Sequence, residues 1–160
     1  MSETESARSD ADVGDALRPG ERTVVPPATH DAGLWFVGTI RTPFRTRDDC
    51  PKQGDPETGP VCRIEIDPVW ADALAGIERK TWLQVLYWLA EARRDVVVQT
   101  PRRHGETVGT FAIRSPLRPN PIGVSRVRLV GRDGPVLSVR GLDCLDGTPL
   151  VDLKPERCFD

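Results

Sequence analysis

Three polar stretches of this chain carry residue types able to grip a small charged or hydrogen-bonding ligand. Residues 50–54, CPKQG, fix a backbone angle at Pro51, offer donors from Lys52 and Gln53, and at Gly54 let a ligand approach the main chain. Residues 114–123, RSPLRPNPIG, lock the backbone at Pro116, Pro119 and Pro121, and so hold Arg114, Ser115, Arg118 and Asn120 with little ordering cost on binding. A guanidinium can grip a carboxylate or phosphate through two parallel hydrogen bonds, and an asparagine amide both donates to and accepts from a purine edge. Residues 142–155, LDCLDGTPLVDLKP, set Asp143, Asp146 and Asp152 around a Gly147-Thr148-Pro149 turn. Carboxylates so spaced suit ribose hydroxyls, an amino group or a cation, but not the regular ligand spacing of a calcium hand. Each stretch also has a plainer reading: a solvated turn, a rigid corner with hydrated arginines, and aspartates that cap their own turn.

Other chemistries lack their signals. The chain has no G-x-G-x-x-G, no P-loop and no H-E-x-x-H. Cys50, Cys62, Cys144 and Cys158 form no C-x-x-C pair, and only His30 and His104 could supplement them, so no metal site is expected and the cysteines read as free thiols or small core residues. His104, within PRRHGET, reads as part of a mobile loop. Trp35, Trp70, Trp82 and Trp88 stand among aliphatic neighbours and read as core.

These loops must be held by strands. From Leu34 the chain alternates short β-rich runs with turn residues: 34–41, 61–66, 82–89, 108–114, 123–131, 135–142 and 149–153. In 123–131, Val124, Arg126 and Arg128 interleave with Ser125, Val127 and Leu129, the period of a sheet. Glycines in GRDG (131–134) predict a hairpin into the next strand. Residues 68–77, PVWADALAGI, predict one short helix opening on Pro68, and WLQVLYWLAEARR (82–94) has a helical reading beside the strand one. The fold class is therefore mainly β, a small antiparallel barrel or sandwich of about seven strands with one short helix.

A length of 160 residues with 38% hydrophobic content bounds this to one modest domain. With 29% charged residues and no apolar run near the roughly 20 residues of a membrane span, a soluble protein is expected, and the acidic start without an apolar core points to the cytoplasm. Residues 1–33 carry seven acids against three bases, with few large apolar groups, and read as a flexible acidic tail. Residues 93–128 hold eight arginines against Asp95 and Glu106 alone, an arginine-rich band.

Taken together, IRTPF (40–44), CPKQG, RSPLRPNPIG and GLDCLDGTPLVDLKPERC (141–158) closely resemble the TrmO family, the TsaA-like or YaeB-like tRNA methyltransferases, in unbroken order over residues 34–160. That resemblance implies a β-barrel binding S-adenosylmethionine without a Rossmann sheet, as a homodimer, and methylating N6 of N6-threonylcarbamoyladenosine beside the tRNA anticodon. Carried over by position, it places cofactor contacts on Gln53, Gly54, Ala90, Glu91, Arg114, Cys144, Leu145, Asp146 and Gly147. Where many relatives carry His-Gln, this chain has Ala90-Glu91. Positioning would dominate the chemistry, with Asp146 holding polar groups of the cofactor, Asn120 and Arg118 orienting the modified base, and Asp146 or Glu91 accepting the proton. The arginine band would face RNA phosphates. Two other readings stay open: methyl transfer to a small molecule, and a non-catalytic module binding S-adenosylmethionine or RNA.

Overall fold

The computed structural model describes residues 16–102 and 105–157. Nine strands follow in chain order: β1 (Arg22–Thr23), β2 (Gly38–Arg41), β3 (Val61–Ile66), β4 (Trp82–Trp88), β5 (Val96–Gln99), β6 (Val108–Gly109), β7 (Ile122–Asp133), β8 (Val136–Arg140) and β9 (Thr148–Pro155). They divide between two compact units, one holding residues up to Pro27 with Arg93–Asn120, the other Ala28–Ala92 with Pro121 onward. No helix among the described residues is long and apolar enough to cross a membrane.

In the larger unit, six strands close an antiparallel barrel in the order β2-β3-β8-β7-β4-β9. Period-two alternation decides what points inward. Along β4, Leu83, Val85 and Tyr87 are buried while Gln84 faces solvent; along β7, Ser125 and Val127 are buried between exposed Val124, Arg126 and Arg128. Ile40, Ile64, Leu137, Val139, Leu142 and Leu150 complete the interior at 0–2% exposure. Side chains alone fill a barrel of this size, and each such aliphatic side chain contributes about 1.5–3 kcal/mol on burial. Leu74 and Trp70 of the following 3-10 segment pack against the same core.

The strand reading of 82–88 holds over the helical one, because the β4 side chains alternate in a register running from Trp82↔Arg128 to Trp88↔Ile122. Residues 68–77, expected as one helix, form a 3-10 helix over Pro68–Leu74, with another over Ile77–Arg79. The β7–β8 hairpin turns on Gly134-Pro135, Gly134 taking the positive φ of 55° that such tight turns need; Gly131 lies within β7 beside an irregularity in the register. Trp70 packs against the core as the sequence suggests, but Trp35, Trp82 and Trp88 do not join it, and Trp35 is 77% exposed. The reason is parity: Trp82 and Trp88 take the outward positions of β4, alternating with the buried ones. Arg126 covers Trp82 at 3.6 Å from the ring centre, and Trp35 leans on Trp70.

The smaller unit carries a three-stranded sheet, β1-β5-β6. Residues 108–114, expected as one strand, give only β6 and then a 3-10 turn over Thr110–Ala112. Buried Gln99 organises this unit, its Nε2 donating to Thr110 Oγ1 and to Leu117 O, each at 2.7 Å. Residues 16–27 fall within the stretch expected as tail. Here Arg22 pairs with Val98, Glu21 accepts from the Thr100 amide at 3.1 Å, and Arg18 donates to Thr100 O at 3.0 Å. Residues 1–15, His104 and Cys158 lie outside the described residues.

Candidate binding site at one end of the barrel

Loop 42–54 and turn 142–147 are laced together by hydrogen bonds in both directions. The Thr42 amide donates to Asp146 Oδ1 at 3.1 Å, the Thr42 hydroxyl donates to Cys144 O at 2.9 Å, and the amides of Asp146 and Gly147 donate to Phe44 O and Ile40 O, each at 2.8 Å. A threonine buried to 9% exposure therefore spans the IRTPF and LDCLDG segments. Farther along, Gly54 packs on Gly141: a Cβ at position 54 would lie 1.8 Å from Gly141 O. The space that a side chain at 54 would need is thus taken by the chain's own backbone. Gln53 is exposed beside it.

A third segment joins this end. After β4, residues 89–92 form a turn closed by the Ala92 amide donating to Leu89 O at 3.1 Å, leaving Ala90 and Glu91 exposed. Arg47 connects it to the first loop, its Nη2 lying 3.6 Å from Glu91 Oε2. Arg47 itself sits in a turn capped by Asp49, whose Oδ2 accepts the Thr46 amide at 2.8 Å. Gln53, Gly54, Ala90, Glu91, Cys144, Leu145, Asp146 and Gly147 are therefore carried by three segments that the structure links directly.

Arg114, Arg118 and Asn120 belong to the smaller unit. Arg118 Nη1 donates to Ile113 O and Ser115 O, bracing the proline-rich loop from within, while Asn120 Oδ1 accepts from Arg94 Nη2 at 3.1 Å. Arg114 is exposed after the 110–112 turn. Asp152, grouped by spacing with Asp143 and Asp146, stands instead on β9 with its carboxylate 2.8 Å from Lys154 Nζ.

Sequence reasoning missed the residues beneath the turn. Tyr87 Oη donates to Asp143 Oδ1 at 2.6 Å, and Ser125 Oγ donates to the same oxygen at 2.8 Å. Ser125 left a signal, being the polar residue on the inward face of an alternating strand. Burial, reinforced by the Asp143 charge, pushes the Tyr87 hydroxyl well above its ordinary value. Burial likewise pushes the Cys144 thiol up to about 12, and raises Cys50. Both thiols stay protonated near neutrality and are poor nucleophiles. Among the described residues no cluster of three or more metal-ligating side chains occurs. The three linked segments carry the carboxylates of Asp143, Asp146 and Glu91 and the amide side chain of Gln53.

Residues 39–157 match the family described as tRNA-methyltransferase O N-terminal domain. Similar curated proteins include a probable S-adenosyl-L-methionine-binding protein, VirR, of Rhizobium radiobacter, 52% identical over 141 residues that cover 88% of this chain and 80% of that protein. The tRNA (adenine(37)-N6)-methyltransferase of Escherichia coli is 33% identical over 129 residues, covering 74% of this chain and 55% of that protein. A crystal structure of TrmO from Pseudomonas aeruginosa aligns with a TM-score of 0.63 at 34% identity, over 81% of this chain and 56% of that one. The chain thus spans little more than half the length of the last two proteins.

Proposed function

We propose that this chain, which belongs to the tRNA-methyltransferase O family, binds S-adenosyl-L-methionine at the laced end of its barrel and methylates N6 of N6-threonylcarbamoyladenosine beside the anticodon of tRNA. The observation that carries this reading is the family match running over residues 39–157, which include all three linked segments. When bound, the cofactor supplies an activated methyl group on a sulfonium sulfur. The protein's part is placement, which can contribute about 7–11 kcal/mol toward a reaction between two bound partners. Gln53 and the main chain at Gly54 and 144–147 would hold the cofactor, with Ala90 and Glu91 bordering it. Asp146 is suited to grip polar groups because one of its oxygens is already fixed by the Thr42 amide. Exposed Glu91, or Asp146, would take up the proton released from nitrogen. A homodimer forms part of the same proposal.

Mass spectrometry of nucleosides from tRNA incubated with the protein, with and without S-adenosylmethionine, tests it. The expected product is N6-threonylcarbamoyladenosine one methyl group heavier, formed only with cofactor; no methylated nucleoside from any tRNA pool overturns the assignment. A second reading, a binding module without catalysis, draws support from relatives named as S-adenosyl-L-methionine-binding proteins, such as the Rhizobium one. It predicts cofactor binding by calorimetry with no transfer to tRNA.

A further inference from the structure

The network beneath the turn has no part in that reading. Tyr87 on β4 and Ser125 on β7 project into the barrel, each 5% exposed, and their hydroxyls stand 3.1 Å apart while converging on one oxygen of Asp143. Two neutral donors on a single carboxylate oxygen fix where the group points without neutralising it. Among the described residues Asp143 makes no ion pair, and its other oxygen accepts no hydrogen bond. Tyr87, Cys50 and Cys144, which feel its charge, are held in their neutral forms at neutral pH. A partly buried carboxylate with one oxygen aimed by two neutral donors and the other open is placed to receive a cation brought from outside. Asp143 directly precedes Cys144, the first residue of the turn assigned to the cofactor.

We infer that Asp143, aimed by Tyr87 and Ser125, is the anionic contact for the positively charged centre of the ligand held at this end of the barrel. This rests on the proposed binding of S-adenosylmethionine, and it adds a residue that discriminates by charge. Tyr87 and Ser125 are positioning residues that act through Asp143. That cofactor carries a sulfonium and an ammonium; S-adenosylhomocysteine keeps only the ammonium, and 5′-methylthioadenosine has neither.

Calorimetry of the full chain with these three compounds tests the inference. Asp143→Asn should weaken S-adenosylmethionine by about tenfold or more, the loss expected of a hydrogen bond or contact to a charged group, and leave methylthioadenosine within about twofold. If S-adenosylhomocysteine is spared, the contact is to the sulfonium; if it weakens equally, the contact is to the ammonium. Ser125→Ala, which keeps the carboxylate and removes one of its guides, should shift the same ratio in the same direction by a smaller factor, and it serves if the asparagine variant does not fold. Equal loss for all three compounds, or no loss for any, overturns the inference while leaving cofactor binding intact. A wild-type chain that binds none of them overturns the binding reading itself, and this inference with it.

Discussion

A methyl group added at position 123 has nowhere to go. Its carbon would stand 2.1 Å from Cε2 of Tyr87, a ring held at its far end by Asp143 and Ser125. Gly123→Ala should therefore destabilise the protein by about 1–3 kcal/mol, the usual penalty of overpacking, read as a lower denaturant midpoint. The thiols give a second residue-scale expectation. Cys144 sits at 3% exposure with its ionisation pushed to about 12, so alkylation at pH 7.5 should be slow in the native chain and fast in guanidinium. Alternation alone placed Ser125 on the inward face. It could not place Asp143, because the contact depends on β4 and β7 pairing so that Tyr87 lies opposite Gly123, a register no local pattern specifies. Trp35 escaped for a different reason: it precedes β2 outside any strand, where apolar neighbours in sequence do not decide burial.

Turns around the candidate site depend on carboxylate caps. Asp55 accepts the amides of Glu57 and Thr58 and the Thr58 hydroxyl, and these bonds hold its ionisation below the ordinary 3.8; Asp49 is lowered in the same way by bonds from Thr46. A carboxylate lowered on folding contributes stability that is fully present above its unfolded value and is lost as pH falls through the folded one. NMR titration should find both midpoints below 3.8, with the 46–59 segment loosening only under more acid conditions than that. At the sheet of the smaller unit, deleting residues 1–27 should strip β1 from β5 and abolish slow amide exchange at Val98. Long alternating runs made the barrel strands legible in the sequence. β5 was missed because VVVQ is short and follows RRD without alternation, and β1 because two residues among prolines carry no period at all.

The arginine-rich band reads differently once its partners are known. In the smaller unit Arg93 holds Asp95 at 2.8 Å. On the barrel, Arg126 holds Glu156 at 2.8 Å and Arg128 holds Glu57 at 3.1 Å. Among the described residues, at least these three arginines of the band hold carboxylates, which composition could not reveal because Glu57 and Glu156 lie far off in sequence. If tRNA is bound, the slope of log affinity against log salt should be shallower than the about −6 to −7 of eight phosphate contacts. A flat dependence would remove tRNA as the partner. Exposed Arg102→Ala should flatten the slope more than Arg128→Ala does.

β9 lies between β2 and β4, so residues 148–155 zip the first barrel strand to the third in chain order: Gly38 pairs with Leu150, and Leu83 with Pro155. On the ribosome, then, β2 and β4 must wait with their shared edges bare until the last strand leaves the exit tunnel. A nascent chain stalled before Thr148 would display two unsatisfied strand edges, open to chaperones or to neighbouring chains.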